Sequence, residues 1–533
     1  MDMILFLTLL WYTETEYGSE AYILARKDKL LHSTLLVTAV IILSKAVGFG
    51  RDMVTTAYFG LTNANDAYNS AYSLFYLPVL LFNSCISATL IPLYTEEREQ
   101  GSLAGANRFA SNSINLFAVA ALVVSALMYA LAGPLVNLVY NGFDPEKAAL
   151  TARLTQIMLL ALVFNVTSIS VASLLNAAEK YIAAQLTGFP LSFCVIIASV
   201  FFSEAYGIEA LAWGVFAANI LQLLIMIPFM RGWFKYSAVL DVKDKRFHKL
   251  MVLALPALFS MGISELNHMI DNALASGLPE GTLSAMTSSY RLITFLQGIL
   301  VVPLTTIMFS KMSKRVAARD EKGALNMMLD SLMQLSVVVL PVCIIGIVLS
   351  SDVIKFAYMR GRFTLDDVAV TAGILIFYLI GIPAFGMKDF LNRMFHAMKD
   401  TKTPFRVSVV AVASHILMSF ALRPLMGANG LALATSLSGY IGCAMLIVLL
   451  RKRFGRIGFS RVLKELVKIV IATAVCAAVC IVMNRIVPDV VGTAKVFVRL
   501  AVCAGVSLIV YAAGCFALRV QPMMGLVRSL RRR

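Results

Sequence analysis

Apolar residues run along this chain in blocks of about 20 to 30, separated by short polar breaks. A block of that length crosses a bilayer core as a helix, which satisfies its own backbone hydrogen bonds where lipid cannot. Strict alternation over about ten residues, the mark of a membrane β-barrel, is absent. The pattern predicts an all-α integral membrane protein of about 14 helices, near 31–50, 66–94, 109–132, 148–175, 181–203, 208–230, 247–275, 282–312, 325–350, 366–397, 404–422, 428–450, 465–486 and 495–518. Two of the longer blocks carry Pro78 and Pro383, where kinks are expected.

The blocks repeat. Ala71-Tyr72-Ser73-Leu74 is followed by Thr89-Leu90-Ile91, and Ser289-Tyr290-Arg291-Leu292 by Thr306-Ile307-Met308 at nearly the same distance. Asp52 and Gly60 roughly mirror Asp271 and Gly277. A shift of six helices preserves orientation, so this is a parallel repeat about an axis along the membrane normal. It divides the chain into an N-lobe at 31–230, a C-lobe at 247–450, and two added helices at 465–518. Residues 1–30 read as a weakly structured extension and 519–533 as a basic tail. Facing the first helices of the two lobes across a central cavity is the expected arrangement.

Composition agrees with the pattern: 59% hydrophobic and 14% charged residues, with a mean hydropathy of +0.81, against roughly 25% charged in soluble domains. The net charge of +16 would suggest nucleic acid in a soluble chain. Here Lys and Arg concentrate at 231–249, 311–322 and 451–468, which places both termini in the cytoplasm facing anionic lipid, with no nucleic-acid partner. All eight Cys fall in apolar helices; Cys476 and Cys480 share a face without a nearby His or acid, so packing is expected, not metal binding. No catalytic constellation, phosphate-binding glycine loop or cofactor motif is present, which excludes an ATP-driven pump within this chain and points away from an enzyme.

Charges inside spanning helices carry the functional information, because each costs roughly 2.5–3.5 kcal/mol unless it meets a partner or water. Lys45, Arg51 and Asp52 lie in or at the end of the first helix, Asp66 opens the second, Glu265, His268 and Asp271 lie in the seventh, and Arg291 in the eighth. Glu265, His268 and Asp271 recur every third residue along one helix face. Lys45, Arg51 and Arg291 can line one basic, hydrated cavity suited to a pyrophosphate. Plainer readings exist for each: an Arg51–Asp52 ion pair, Arg291 neutralising Asp271, and Glu265 and His268 hydrogen-bonded within the bundle. Lys388, Asp389 and Arg393 read as an ion-pair cluster at the cytoplasmic end. The last two helices are almost uncharged; they either pack on the bundle or form an apolar groove for a prenyl tail.

Six ordered segments resemble the MurJ/MviN lipid II flippases of the multidrug/oligosaccharidyl-lipid/polysaccharide exporter superfamily. They are Ser44-Lys45-Ala46-Val47-Gly48-Phe49-Gly50-Arg51-Asp52, Phe59-Gly60 through Asp66-Ala67-Tyr68, Leu175-Asn176-Ala177 leading to Pro190, Asp271 through Gly281 leading to Tyr290-Arg291-Leu292, Arg360-Gly361-Arg362-Phe363-Thr364, and Lys399-Asp400-Thr401-Lys402-Thr403-Pro404. The resemblance covers about 31–520. It implies alternating-access flipping of an undecaprenyl-pyrophosphate-linked disaccharide-pentapeptide across a bacterial plasma membrane, for cell-wall synthesis.

The family's cavity arginines then correspond to Arg51 and Arg291, another first-helix arginine to Lys45, and an early second-helix aspartate to Asp66. A further second-helix arginine has no counterpart between Pro78 and Asn83. The expected substrate site is Lys45, Arg51, Arg291 and Asp66, with Asp52, Glu265, His268 and Asp271 for coupling or gating to the membrane potential or a monovalent ion. Expected partners are the lipid-linked substrate, membrane lipids and cell-wall synthesis proteins. The rival functions are a flippase for another polyprenyl-linked glycan, a small-molecule exporter, and a non-transporting membrane scaffold; a cation-drug exporter would want an acidic cavity.

Overall fold

The computed structural model describes residues 19–455, 459–490 and 492–524; the side chains at 19–35, 253–266, 268, 307 and 459 lie outside that description. The first half comprises α1 (Ser19–Phe59), α2 (Asn63–Gln100), α3 (Leu103–Ala130), α4 (Ala132–Val139), α5 (Pro145–Leu159), α6 (Leu162–Ala177), α7 (Tyr181–Gln185), α8 (Gly188–Ile197), α9 (Ser203–Tyr206) and α10 (Glu209–Met230). A π-turn, Ala198–Phe202, joins α8 to α9. The second half comprises α11 (Lys245–Ala275), α12 (Thr282–Ala317), α13 (Glu321–Val348), α14 (Ser350–Tyr358), α15 (Leu365–Ala397), α16 (Lys402–Met426) and α17 (Ala428–Phe454), followed by α18 (Phe459–Ile486) and α19 (Thr493–Ala517).

Among the described residues, 11 helices are long and apolar enough to cross a membrane, or 12 with α5 and α6 taken as one span bent by 44°. The further long helices α1 and α11, of 41 and 31 residues, complete the set expected from sequence. Helix α1 begins at Ser19, inside the segment read as a weakly structured extension. Ala21 to Lys45 holds neither glycine nor proline and is rich in Ala, Leu, Arg and Lys, all strong helix formers.

The repeat persists in detail. Glu179 and Lys399, 220 positions apart, both take a left-handed backbone at φ 61° and 60°, and Gly207 and Gly427 do so at 58° and 57°. Helix α3 breaks at Leu131 into α4, and α13 breaks at Leu349 into α14. The Tyr140 hydroxyl donates to the Ser70 carbonyl at 3.2 Å, and the Tyr358 hydroxyl to the Ser288 carbonyl at 3.1 Å, each reaching back 70 residues.

The lobes meet differently from the sequence expectation. The first helices, α1 and α11, share no substantial contact among the described residues; instead α11 packs on α2, and α12 packs on α1 and α2. The pseudo-two-fold axis therefore passes between α2 and α12, and Asp66 and Ser284, 218 positions apart, touch across it. Helix α18 packs on α13 and on α19, and α19 also contacts α14. Cys476, Cys480, Cys503 and Cys515 are buried within that packing.

Candidate functional site

A chamber of about 330 Å³ opens between α1, α8 and α12. From α1 it is lined by Ser44, Lys45, Gly48, Phe49, Arg51 and Asp52, and from α12 by Arg291, Thr294 and Phe295. Close approach of α8 forms its third wall: a Cβ at Gly188 would lie 2.1 Å from the Ser44 hydroxyl oxygen and 3.2 Å from the Ser44 Cβ, so a larger residue there would turn the Ser44 hydroxyl aside. Phe49 and Phe295 stack across the lobes with centroids 5.1 Å apart and planes 19° apart.

One carboxylate oxygen organises the cations. Asp52 Oδ1 accepts from Arg51 Nε at 3.0 Å, from Arg51 Nη2 at 2.8 Å and from Arg291 Nη1 at 2.8 Å. Arg291 Nη2 also donates to Asn69 Oδ1 at 3.2 Å. Arg291 thus pairs with Asp52, not with Asp271. Lys45 has no acidic partner among the described residues and is exposed to the chamber. Three cations against one carboxylate leave a local charge of +2, which an anion with two negative charges would balance.

Asp66 lies elsewhere. It is 1% exposed and does not border the chamber. Its Oδ2 accepts from Lys147 Nζ at 2.8 Å and from the Gly281 N–H at 3.0 Å; its Oδ1 accepts from the Ser284 N–H at 2.8 Å and the Ser284 hydroxyl at 2.6 Å. Gly281 is the N-cap of α12, at φ 77°, and brings no capping side chain of its own. Asp66 therefore caps that helix from the opposite lobe, where helix-dipole and charge reinforce each other. The reciprocal contact runs from the Asn63 N–H at the start of α2 to Glu280 Oε1 at 2.8 Å. Around this pair the Gly142 N–H donates to Ser276 Oγ at 3.2 Å, and the Arg362 N–H to the Ala57 carbonyl at 2.8 Å. This end of the bundle is sealed largely by main-chain groups.

At the opposite, basic end the lobes meet through side chains: Leu250 and Phe247 of α11 pack into the N-lobe core, with Phe247 against Phe117 at a centroid distance of 5.7 Å. Arg246 meets Glu97 at 3.2 Å and Lys249 meets Glu96 at 2.9 Å, in side chains about one-third to one-half exposed. Exposed pairs of this kind contribute about 0–1 kcal/mol. Arg393 pairs with Asp389 at 3.1 Å.

In the C-lobe, Asp271 meets His415 of α16 at 3.0 Å and Thr435 of α17 at 3.0 Å. Glu265 and His268, expected on the same helix face, have side chains outside the described residues. The last two helices are not free of charge: buried Arg499 of α19 pairs with Asp352 and donates to Asn484 Oδ1 at 2.7 Å, and Lys355 of α14 meets Asp489, between α18 and α19, at 2.8 Å. Beside the chamber, Leu292 and Leu296 of α12 face an apolar pocket of about 180 Å³ that extends past α13 and α15 to Leu500 and Ala504 of α19.

Two lobes related by a parallel repeat, one sealed end and a cationic chamber between them define a multi-pass membrane transporter. Residues 55–501 match the family model described as lipid II flippase MurJ, and the chain belongs to that family, whose members are transporters and not enzymes. A probable lipid II flippase MurJ from Rhizobium tropici is 26% identical over 457 residues, covering 83% of this chain and 85% of the relative. A solved lipid II flippase MurJ in an inward-closed conformation superposes with a TM-score of 0.78 at 26% identity, covering 91% of this chain and 99% of that one. An inward-facing multidrug-resistance MATE family transporter shares the fold, with a TM-score of 0.68 at 11% identity over 81% of this chain and 99% of its own.

Proposed function

We propose that this protein flips lipid II from the inner to the outer leaflet of a bacterial plasma membrane, with its basic end and both termini in the cytoplasm. The observation that carries this reading is the convergence of Lys45 and Arg51 from one lobe with Arg291 from the other on a single chamber. Their excess of two positive charges matches the two negative charges of a pyrophosphate bridge. Both arginines already share one carboxylate oxygen of Asp52, so a phosphate oxygen finds the guanidinium forks oriented. Asp52 is the intramolecular stand-in that the substrate displaces.

Asp66 acts in the outer seal and not as a substrate ligand. The headgroup enters from the cytoplasmic side, where the lobes meet through partly exposed ion pairs and the packing of Phe247 and Leu250 on the N-lobe core, and leaves when the outer seal parts. The prenyl tail stays in lipid along the apolar pocket between α12 and α19, which adjoins the chamber through neighbouring residues Arg291 and Leu292. A potential or ion gradient drives the cycle.

Arg51→Ala and Arg291→Ala should each abolish complementation of a flippase-depleted strain and lower lipid II at the outer leaflet, with membrane levels of the protein unchanged. Normal growth and normal outer-leaflet lipid II in both mutants would overturn the proposal. Restored flipping of a different polyprenyl-pyrophosphate glycan, with none of lipid II, would keep the chamber chemistry and replace the cargo.

A further inference from the structure

The apolar pocket beside the chamber has cations at both ends. At one end its lining residue Leu292 follows Arg291; at the other, Leu500 follows Arg499 and Val353 follows Asp352. Lys355 lies three residues on from Asp352 in α14. Its Nζ donates to both carboxylate oxygens of Asp489, each at 2.8 Å, and Arg499 Nη1 lies 3.5 Å from Asp489 Oδ1. Cations from α14 and α19 thus meet at one carboxylate oxygen, as Arg51 of α1 and Arg291 of α12 meet at Asp52 Oδ1 in the chamber.

Here the cations are fixed and the acid is not. The side chains of Lys355 and Arg499 are 9% and 8% exposed, whereas that of Asp489, in the outer loop between α18 and α19, is 65% exposed. Arg499 pairs with Asp352 through Nη1, donates from Nη2 to the Asn484 carbonyl at 3.0 Å and to Asn484 Oδ1 at 2.7 Å, and from Nε to the Val487 carbonyl at 3.3 Å. This engages four of its five N–H donors, and Nη1, which carries the fifth, is the atom nearest Asp489. Asp352 keeps Oδ1 buried with no hydrogen-bond partner among the described residues, an acceptor still to be filled. Fastening α19 to α14 does not require these charges. Phe356 and Phe497 already meet with centroids 5.6 Å apart, and Cys503 and Tyr511 are buried in the adjoining packing. A buried ion pair stabilises no better than apolar side chains of the same volume.

We infer that Lys355 and Arg499 form an exit-side site for the pyrophosphate of a polyprenyl-pyrophosphate lipid, and that Asp489 is the carboxylate this group displaces. The inference rests on the flippase reading for the identity of the cargo. The prenyl tail lies in the apolar pocket throughout, while the pyrophosphate passes from Arg51 and Arg291 at one end to Lys355 and Arg499 at the other. With Asp489 turned into water, Lys355 and Arg499 against Asp352 leave a local charge of +1, smaller than the +2 of the chamber. The outer site therefore holds a doubly charged anion less tightly, as release requires. A hydroxyl or amide N–H of the sugar joined to the pyrophosphate fills Asp352 Oδ1. Departure of the lipid lets Asp489 return to Lys355, which closes the site to the cargo just delivered.

The test uses the full chain in phosphatidylcholine nanodiscs, with farnesyl pyrophosphate as the probe. Val490, whose N–H donates to Asp489 Oδ1 at 2.9 Å, provides the reporter as Val490→Cys. At a probe concentration about ten times its Kd, maleimide labelling of that cysteine should slow about tenfold, and equally so when Arg51→Ala removes a chamber cation. Lys355→Gln should abolish the slowing and Lys355→Arg restore most of it. Asp489→Asn removes the competing carboxylate from an exposed position and should lower the probe's Kd by about two- to fivefold, a tightening that a purely structural ion pair would not produce. No slowing, slowing that survives Lys355→Gln or vanishes in Arg51→Ala, or an unchanged Kd in Asp489→Asn would each overturn the inference. So would equal slowing by farnesol, by inorganic pyrophosphate, or by phosphatidylglycerol added to the nanodisc. Lipid II movement in proteoliposomes separates the two readings. Normal movement without probe protection sinks the exit site and leaves the flippase; protection without lipid II movement sinks the flippase reading and leaves the site.

Discussion

Replacing Asp66 with Asn tests the outer seal with almost no change in shape. The native carboxylate neutralises Lys147, itself largely buried, and accepts three further hydrogen bonds from Gly281 and Ser284 of the other lobe. The amide cannot neutralise Lys147, and its NH2 must face at least one donor. Breaking a buried ion pair by removing one partner costs about 3–5 kcal/mol. When the seal opens, water reaches both groups and most of that cost disappears. The substitution therefore shifts the closed-to-open ratio by about 10²–10³-fold. Thr294, exposed within the chamber, provides the reporter as Thr294→Cys. The native cysteines give little background, because all but Cys194 are buried. In whole cells, a membrane-impermeant maleimide should label Thr294→Cys from outside much faster when Asp66→Asn is present. Labelling rates equal within a factor of two would refute the assignment of Asp66 to the seal.

Three further outcomes follow from the same geometry. Arg291→Lys keeps the charge but loses the fork that spans Asp52 and Asn69, so lipid II transport in proteoliposomes should fall by about tenfold or more while the protein stays folded. Arg499→Leu leaves Asp352 buried and unpaired and should destabilise the chain by about 3–5 kcal/mol, whereas the double replacement of Arg499 and Asp352 by Leu and Asn should recover much of it in a thermal unfolding assay. Asp400, in a loop at the basic end, accepts from the Thr403 N–H at 3.0 Å and its hydroxyl at 2.8 Å, and these donors hold its carboxyl below the usual range. Its stabilisation is present above the ordinary carboxylate pKa and is lost as pH falls through the lowered one. Asp400→Ala should thus cost about 1 kcal/mol at neutral pH, and the difference in Tm should vanish in strong acid.

Much of this was readable in the chain itself. The apolar blocks gave the helices because lipid allows few other solutions, and Lys45, Arg51 and Arg291 stood out because charge in hydrocarbon is costly. The same rule singles out Arg499 within 495–518 and His415 within 404–422, whose partners Asp352 and Asp271 lie far off in sequence; the signal was present and only the pairing was not. Asp66 was legible as a charged group but not as a cap, because its donors are backbone N–H groups of Gly281 and Ser284, which no side-chain pattern announces. The pairing of α11 with α2, instead of with α1, depends on where the pseudo-axis passes, and helix periodicity does not encode that. Helix α1 extends back to Ser19 because its polar start is made of good helix formers, a signal that hydropathy alone conceals.

Gly281 contributes to closure through an amide that every amino acid except proline possesses. A side chain at that position strains the left-handed turn and puts a Cβ 2.5 Å from the Leu61 carbonyl oxygen of the other lobe, while every replacement but proline keeps the donor itself. Selection on the closure must therefore act on the acceptors, Asp66 and Glu280, and on the backbone path that brings them within reach. Compounds that compete for those amides, carrying a carboxylate where Asp66 presents one, would meet donors that a substitution at Gly281 alters only by disturbing the closure itself.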